Sequence, residues 1–205
     1  MSEANGAVLV IDDDRVVREA IGRLLRSVGL DVHLFESIPA FLAASRPNCA
    51  SCLVLDVRLP GQNGLDFQRE LSAANIQTPI IFITGYGDIP MSVQAMKGGA
   101  VEFLTKPFRD QALLEAVEVG LARDRVRREN DAAQRELNER YEALTPRERE
   151  IMLQVARGRL SKQIAFDLGV SEVTVKVHRS NLMRKMQVSS LPELGRMADK
   201  LNLGQ

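Results

Sequence analysis

The stretch VLVIDDD (residues 8–14) decides the fold of the first part of the chain. Four consecutive apolar residues that end in three aspartates are typical of a strand that is buried on both faces and leads into a polar site. Similar apolar runs recur downstream, with helical spacing between them. The runs are Val8–Ile11, Val32–Phe35, Cys52–Leu55, Ile80–Ile83 and one around Glu102–Leu104. This alternation predicts an α/β fold with a doubly wound, five-stranded parallel sheet.

The predicted strands end in polar residues that suit phosphoryl chemistry, namely Asp12, Asp13, Asp56, Thr84 and Lys106. Ligands of open parallel sheets bind beyond the carboxyl ends of the strands, so these separate segments should meet in one pocket. Three carboxylates repel one another without a cation, and oxygen ligands favour a hard ion such as Mg²⁺. A carboxylate beside Mg²⁺ can act as a nucleophile and carry an aspartyl-phosphate. The pattern therefore predicts a Mg²⁺-dependent phospho-acceptor site.

Four segments together resemble the strand ends of a bacterial response-regulator receiver domain. They are VLVIDDD, LVLDVRLPGQNG (53–64), IIFITGYGD (80–88) and VEFLTKPF (101–108). The resemblance covers residues 5–122 and implies a flavodoxin-like sheet with the strand order 2-1-3-4-5. It also implies that Asp56 is the phospho-acceptor. Asp13, Asp56 and the backbone carbonyl of Arg58 would bind Mg²⁺ directly, and Asp12 would act through water.

The same resemblance implies a conformational switch. Thr84 and Lys106 would hold the phosphoryl oxygens, and the peptide bond between Lys106 and Pro107 would be cis. Many receivers carry a tyrosine where this chain has Phe103. Movement of Thr84 toward the phosphoryl group would vacate space that Phe103 fills, which would alter the surface of the fourth helix and fifth strand where such receivers dimerise.

The net charge of zero hides a gradient along the chain. Residues 1–120 carry 10 Lys and Arg against 15 Asp and Glu, residues 121–144 carry 6 of each, and residues 145–205 carry 11 against 6. An acidic front and a basic back predict two domains with different partners, and a basic module is typical of nucleic-acid binding. The expected division is a receiver at 5–122, a helical linker at 123–143 and a DNA-binding domain at 144–205.

A single long helix is predicted to join the two domains, because no proline interrupts Asp110 to Leu144. Its first half carries apolar residues on one face and should pack on the sheet. The charged run Arg123–Glu136 is typical of a solvated face. A dimeric coiled coil is the alternative, although apolar residues at coiled-coil spacing are sparse.

Residues 145–205 are predicted to form four helices, at about Pro146–Arg157, Ser161–Leu168, Glu172–Met186 and Leu191–Asn202. A tight turn with Gly169 joins the second and third helices, and Ser171 caps the third, as in a helix-turn-helix. Residues 144–200 resemble the LuxR/FixJ-type DNA-binding domain. Leu160 stands where that family usually has a serine, so Ser161 is expected to cap the second helix instead.

The third helix is predicted to enter the major groove of DNA. Val175, Leu182 and Met186 should face the core, which leaves the opposite face for DNA. Lys176 is the best candidate for a base contact, most naturally to guanine, and Val177 can touch a thymine methyl. Ser180 shares this face. The candidates for phosphate contacts are Thr174, Arg179, Arg184, Lys185, Ser161 and Lys162.

Together, the two resemblances imply a two-component response regulator of the FixJ/NarL type, a DNA-binding transcription regulator and not an enzyme. The resemblance implies that a sensor histidine kinase phosphorylates it, that it then dimerises on promoter DNA, and that it activates transcription with RNA polymerase. No stretch approaches 18 uninterrupted apolar residues and no export signal is evident, so a cytoplasmic protein without a membrane partner is expected.

Three alternatives stay open at this point. The chain could be a phosphatase or phosphotransferase that uses Asp56 catalytically, although it lacks a second general acid or base. It could be a DNA-binding regulator whose receiver is no longer phosphorylated. The pair Cys49 and Cys52 matches the C-x-x-C pattern of redox or zinc sites, although it leads into a strand and not into a helix.

Overall fold

The computed structural model describes residues 6–86, 89–201 and 203 of the 205-residue chain. The chain divides into two compact units, Met1–Glu129 and Asn130–Gln205, and one long helix runs through the division. The expected domain limits at residues 5 and 205, and the expected helix end at Asn202, lie outside the described residues. No helix in the described part of the chain is both long and apolar enough to cross a membrane.

The first unit contains a five-stranded parallel sheet with the order β2-β1-β3-β6-β7, which confirms the predicted order of the five main strands. In chain order the strands are β1 (Ala7–Ile11), β2 (Asp31–Phe35), β3 (Ser51–Asp56), β4 (Arg58–Leu59), β5 (Gln62–Asn63), β6 (Ile80–Thr84) and β7 (Glu102–Thr105). The helices of this unit are α1 (Arg15–Ser27), α2 (Ile38–Ala43), α3 (Gly64–Ala73), α4 (Ile89–Lys97) and the first part of α5 (Asp110–Glu142).

Both faces of the sheet are buried, which explains why the strands are nearly continuous apolar runs. Successive side chains of a strand point to opposite faces. Accordingly, Leu9 and Ile11 of β1 belong to one core cluster, whereas Val8 and Val10 belong to the other. All five residues of β1 are buried. The strand therefore runs between two layers of helices, and the next residue, Asp12, lies at the carboxyl end of the sheet.

The short β4–β5 hairpin is a feature that the apolar pattern did not predict. It pairs Arg58 with Asn63 and Leu59 with Gln62 in antiparallel register. Gly61, at the turn, has a φ of 74°, which favours glycine. A Cβ on Gly64 would lie 2.6 Å from the backbone oxygen of Asp56, so the start of α3 approaches the end of β3 more closely than a side chain would permit.

The charged run in α5 is not uniformly solvated, which corrects the prediction for Arg123–Glu136. Asp124 is 1% exposed. Its carboxylate accepts hydrogen bonds from Arg127, from Arg128 and from the backbone N–H of Ser51 at the start of β3. Burial raises the pKa of Asp124, but the hydrogen bonds from the two arginines outweigh it and lower the pKa below its ordinary value. A buried, satisfied carboxylate therefore joins α5 to the sheet.

The cysteine pair forms no disulfide, and its second residue has an unreactive thiol. Cys49 and Cys52 are free, and Cys52 is fully buried on β3. Burial and, to a lesser degree, the charge of Asp124 raise the pKa of the Cys52 thiol to about 12. Because the reactive form of cysteine is the thiolate, this thiol is inert at neutral pH.

The second unit is helical and its four main helices confirm the predicted pattern. They are α6 (Pro146–Ala156), α7 (Ser161–Asp167), α8 (Glu172–Met186) and α9 (Leu191–Lys200). Val175, Leu182 and Met186 of α8 are fully buried in one core cluster, as predicted, together with Ile151 and Ile164. This packing fixes which face of α8 remains on the surface.

Candidate functional site

Side chains from three strand ends converge at the carboxyl edge of the sheet in the first unit. The Nζ atom of Lys106 lies 2.6 Å from Oδ2 of Asp12 and 2.6 Å from Oδ2 of Asp56, so one ammonium group bridges two carboxylates. Asp12 and Asp56 are buried, whereas Asp13 is exposed. Carboxylate oxygens of the three aspartates all lie within 4.8 Å of one another. The structure therefore brings together the acidic residues that the sequence placed at strand ends.

Backbone amides hold the other oxygen of each buried carboxylate. The N–H of Asp14 donates to Oδ1 of Asp12 at 2.9 Å, and the N–H of Arg58 donates to Oδ1 of Asp56 at 2.9 Å. Asp14 itself caps α1 by accepting from the backbone of Val16. Because both oxygens of Asp56 have a donor, its carboxylate has a fixed orientation toward the pocket.

Burial and ion pairing oppose each other in this pocket. Burial raises the pKa of Asp12, and its hydrogen bond to Lys106 only partly offsets this effect. Burial lowers the pKa of Lys106, but the hydrogen bonds and charges of Asp12 and Asp56 outweigh it and raise the pKa. Lys106 is therefore a cation at neutral pH and balances part of the negative charge.

Thr84 and Phe103 lie on neighbouring strands, β6 and β7, of which β7 is an edge strand of the sheet. Thr84 is fully buried at the end of β6, and its hydroxyl oxygen accepts a hydrogen bond from the N–H of Tyr86 at 3.2 Å. Phe103 on β7 is half-buried, and its ring centroid lies 6.4 Å from that of Phe82. The Lys106–Pro107 peptide bond is cis, as predicted.

A contact beside the pocket involves a residue that sequence reasoning missed. The guanidinium of Arg58 lies over the ring of Tyr86, 4.9 Å from its centroid. Arg58 was predicted to take part only through its backbone carbonyl. Tyr86 belongs to the IIFITGYGD segment, but neither periodicity nor spacing indicated that its exposed ring would meet the loop after β3.

The donor set of this pocket fits a hard divalent cation. Its candidate ligand atoms are all carboxylate oxygens, which Mg²⁺ prefers over nitrogen or sulfur. Asp13 is exposed, so one side of the cluster is open to solvent and to the water ligands that Mg²⁺ retains.

The second unit presents a polar face that includes most residues predicted to contact DNA. Ser171 caps α8 by accepting from the N–H of Thr174 at 3.1 Å, and Gly169 with a φ of 63° forms the turn before it. The residues of the predicted interface that are exposed are Lys162, Lys176, Val177, Ser180 and Arg184. Thr174, Arg179 and Lys185 are half-buried.

Three of the predicted phosphate-binding residues, Ser161, Arg179 and Lys185, form side-chain contacts between helices. Ser161 is buried, and its hydroxyl accepts a hydrogen bond from Arg179. The Nζ atom of Lys185 lies 2.7 Å from Oε2 of Glu148 and 3.2 Å from the backbone oxygen of Ala143. These contacts occupy the Ser161 hydroxyl, which is buried and requires a partner, and the Lys185 ammonium, which pairs with a buried carboxylate.

The expected cap of α7 was wrong. Helix α7 begins at Ser161, and the residue at its N-cap position is Leu160, whose side chain makes no capping hydrogen bond. Instead, the side chain of Gln163 reaches back and accepts from the N–H of Leu160 at 2.9 Å. The Ser161 side chain does not cap the helix because it faces the interior and bonds to Arg179.

Glu148 is a buried ionic residue that sequence reasoning missed. It lies in the first turn of α6, where it completes a capping box with Thr145 and pairs with Lys185 of α8. Burial raises the pKa of Glu148, but the hydrogen bonds from Lys185 and Thr145 outweigh it and keep the pKa below its ordinary value of 4.5. The pair thus fixes α8 against α6.

Glu148→Gln is expected to destabilise the second unit by about 2 kcal/mol at neutral pH, because the amide preserves the cap but loses the charge of the pair with Lys185. A carboxylate with a lowered pKa stabilises the fold above its ordinary pKa, and this contribution is lost as the pH falls. The difference in the free energy of unfolding between the variant and the wild type should therefore shrink below pH 4.5. Amide hydrogen exchange in α6 and α8, measured for both proteins from neutral pH to below pH 4.5, checks this prediction. A difference that does not change with pH would contradict the assignment.

Two known families match the chain. Residues 8–118 match the family described as response regulator receiver domain, and residues 142–198 match the family described as bacterial regulatory proteins, luxR family. The first match includes every residue of the acidic pocket, and the second includes α6, α7 and α8 in full.

Individual relatives align over nearly the whole chain. Nodulation protein W of Bradyrhizobium diazoefficiens is 52% identical over 196 residues, which is 96% of this chain and 86% of that protein. Transcriptional regulatory protein FixJ of Azorhizobium caulinodans is 46% identical over 191 residues, 93% of this chain and 90% of that protein. The solved structure of response regulator StyR is 48% identical, with a TM-score of 0.86 over 95% of this chain and 98% of that one.

Proposed function

The chain belongs to the response regulators that join a receiver domain to a LuxR-type DNA-binding domain, and from this we propose that phosphorylation of Asp56 controls its binding to promoter DNA. The family consists of transcriptional regulators of two-component systems and not of enzymes. One observation carries the proposal. The ammonium group of Lys106 bridges Asp12 and Asp56 at the ends of β1 and β3. It thereby holds the Asp56 carboxylate in a pocket that can receive a phosphoryl group.

Asp56 is the proposed nucleophile. One of its carboxylate oxygens attacks the phosphorus of a phosphohistidine on the partner kinase, and the phosphorus–nitrogen bond breaks as the new oxygen–phosphorus bond forms. Lys106 stabilises the negative charge on the transferred group, since its ammonium already lies against the Asp56 carboxylate. The hydroxyl of Thr84 donates to a phosphoryl oxygen after the transfer.

Mg²⁺ is the proposed cofactor of this reaction. Asp13, Asp56 and the backbone carbonyl of Arg58 would hold the ion, with Asp12 acting through water. When bound, the ion neutralises charge on the phosphoryl oxygens. The close approach of the three carboxylates supports this assignment, because the single ammonium group of Lys106 does not neutralise three negative charges.

The proposed output of phosphorylation is dimerisation through α4 and β7. Helix α4 exposes Ile89, Val93 and Met96, with exposed fractions of 79%, 45% and 45%. An exposed apolar helix face supports a protein–protein interface here, because contiguous apolar surface is usually covered by a partner. Thr84 and Phe103 would connect it to the pocket, because β6 and β7 pair in register through Phe82 and Phe103.

Val93→Asp is expected to weaken the phosphorylated dimer at least tenfold while leaving phosphorylation of Asp56 intact. A carboxylate placed in an apolar interface loses its hydration on association. Analytical ultracentrifugation after treatment with acetyl phosphate measures the dimer, and intact-mass spectrometry measures the adduct. Leu42→Asp is the matched control, since Leu42 is also an exposed apolar helix residue but lies on α2. Equal dimerisation of both variants would exclude α4 as the interface.

The proposed DNA contacts come from α8 and the start of α7. Lys176 and Val177 read bases, with Ser180 on the same face. Thr174, Arg179, Arg184 and Lys162 contact phosphates. Ser161 and Lys185 act indirectly, because Ser161 orients Arg179 and Lys185 fixes α8 against α6.

A footprinting experiment tests the proposed function as a whole. Binding sites are first selected from random DNA with the full-length protein treated with acetyl phosphate and Mg²⁺. The selected site is then footprinted with and without acetyl phosphate, and with Mg²⁺ replaced by EDTA. We expect a two-half-site footprint that appears at lower protein concentration only when donor and Mg²⁺ are both present. A footprint that is independent of both would contradict phosphorylation control.

The remaining partners follow from this function. A sensor histidine kinase is the proposed phosphoryl donor, and RNA polymerase is the proposed partner at an activated promoter. The proposed location is the cytoplasm, because both the DNA target and the phosphohistidine of the kinase are accessible there.

A further inference from the structure

A cavity of about 190 Å³ lies at the base of the first unit, at the amino-terminal end of the sheet. Ser51 lines this basal cavity and is the first residue of β3, whereas Asp56 is the last residue of the same strand. At about 3.3 Å per residue, the two ends of the strand are roughly 16 Å apart. The basal cavity is therefore distinct from the phospho-acceptor pocket.

The charged residues that line the basal cavity are all arginines. They are Arg46 from the loop before β3 and Arg127 and Arg128 from α5. Among the described residues, no aspartate or glutamate lines the cavity. The other polar lining residues are neutral. They are Ser51 of β3 and, from the α3–β6 loop, Asn75, Gln77 and Thr78.

The buried carboxylate of Asp124 holds two of these arginines in place. Its Oδ1 accepts from Nη2 of Arg127 at 2.6 Å, and its Oδ2 accepts from Nε of Arg128 at 2.8 Å. Nη2 of Arg128 also donates to the backbone oxygen of Pro47 at 3.2 Å. Arg128 is thus immobilised, while its Nη1 has no hydrogen-bond partner in the part of the chain that the structure describes.

Arg46 supplies a cationic group that has no ionic partner among the described residues. Among the described residues, no ion pair or hydrogen bond holds the Arg46 guanidinium. Its Cζ atom lies over the ring of Phe41, 5.8 Å from the ring centroid. Concave surfaces that carry one sign of charge concentrate ions of the opposite sign. Asp124 pairs with Arg127 and Arg128 and not with Arg46, so the positive charge of Arg46 is available to an anion in the cavity.

We propose that the basal cavity binds a small dianion, either inorganic phosphate or a compact phosphate monoester. Guanidinium groups match phosphate because they donate two parallel hydrogen bonds from one plane, and both Arg46 and Arg128 line this cavity. The volume of about 190 Å³ admits one phosphate with a short organic group. Arg127 and Arg128 belong to α5 beside Asp124, so the bound anion would strengthen the attachment of this helix to the base of the sheet.

The test uses the full-length protein without Mg²⁺, so that the three aspartates of the phospho-acceptor pocket repel anions. Inorganic phosphate and glycerol 3-phosphate are titrated at constant ionic strength, with chloride and glycerol as references, and backbone amide shifts are recorded by NMR. We expect saturable shifts at Ser51 and Thr78 and slower amide exchange around Asp124. Tighter binding of one probe distinguishes free phosphate from a monoester as the ligand.

Arg46→Gln is expected to weaken binding at least tenfold, because it removes one charge-assisted contact and breaks no ion pair. Arg69→Gln is the matched control, since Arg69 is an exposed arginine on α3 that does not line the cavity. Equal affinity of the two variants would overturn the proposal, as would shifts confined to the second unit or to the aspartate pocket. Neither result bears on phosphorylation of Asp56, which is assayed separately with Mg²⁺ and acetyl phosphate.

Discussion

Asp56→Asn is expected to abolish the covalent phosphoryl adduct of about 80 Da and, with it, the donor-dependent gain in operator affinity. The amide has the shape of the carboxylate, so its oxygen can still accept from Lys106 or from the N–H of Arg58. It lacks the negative oxygen that attacks phosphorus. If phosphorylation couples to DNA binding with about 1–3 kcal/mol, the loss corresponds to roughly 5- to 150-fold in affinity.

Intact-mass spectrometry and operator titrations, each with and without acetyl phosphate, measure this effect. Asp66→Asn is the matched control, because Asp66 is an exposed aspartate in the first turn of α3 that pairs with Arg69, away from the acidic pocket. The control should retain both the adduct and the affinity gain. Donor-dependent binding that survives in Asp56→Asn would favour a regulator whose receiver no longer uses this aspartate.

Lys176→Ala and Arg179→Ala are expected to weaken DNA binding in two different ways. Loss of a base contact at Lys176 should cost about 1–3 kcal/mol on the preferred site and relax the preference at one base pair. Its exposed ion pair with Glu172 contributes little to stability, so the fold is retained. Loss of a phosphate contact at Arg179 should weaken all sequences similarly and reduce the salt dependence by about one phosphate contact.

Affinities for the selected site and for single-base variants, measured over a range of salt concentrations, separate the two effects. Lys200→Ala is the control for loss of a positive charge, since Lys200 is exposed at the end of α9. We expect it to change neither the base preference nor the salt slope. If Lys176→Ala lowered the salt slope without relaxing the base preference, Lys176 would be a phosphate contact.

The buried ionic residues illustrate what the sequence does not disclose. Asp124 and Glu148 lie in charged segments, and a charge run on a helix is normally solvated. Their burial depends on partners far along the chain, because Asp124 accepts from Ser51 and Glu148 pairs with Lys185. Single-sequence periodicity contains only local spacing and carries no information about such contacts.

For the DNA-binding candidates, too, local spacing predicted some features and tertiary contacts determined others. The seven-residue and four-residue spacing of Val175, Leu182 and Met186 predicted the buried face of α8, and all three are fully buried. That spacing also placed Lys176 and Val177 on the outside. It did not reveal that Lys185 and Ser161 have intramolecular partners, since their exposure depends on where α6 and α7 pack.

The sequence by itself determined the architecture: buried strands that end in Asp12, Asp56 and Thr84, the order of the two modules, and the helix-turn-helix. Hydrophobic periodicity and strand-end chemistry are local properties, so the chain displays them directly. Only the tertiary structure decided how Lys106 bridges two aspartates and that Arg58 lies over Tyr86. It also decided that Asp124 fixes two arginines beside the basal cavity. These contacts join strand ends, loops and helices that are distant in sequence, and packing alone determines which of their side chains meet.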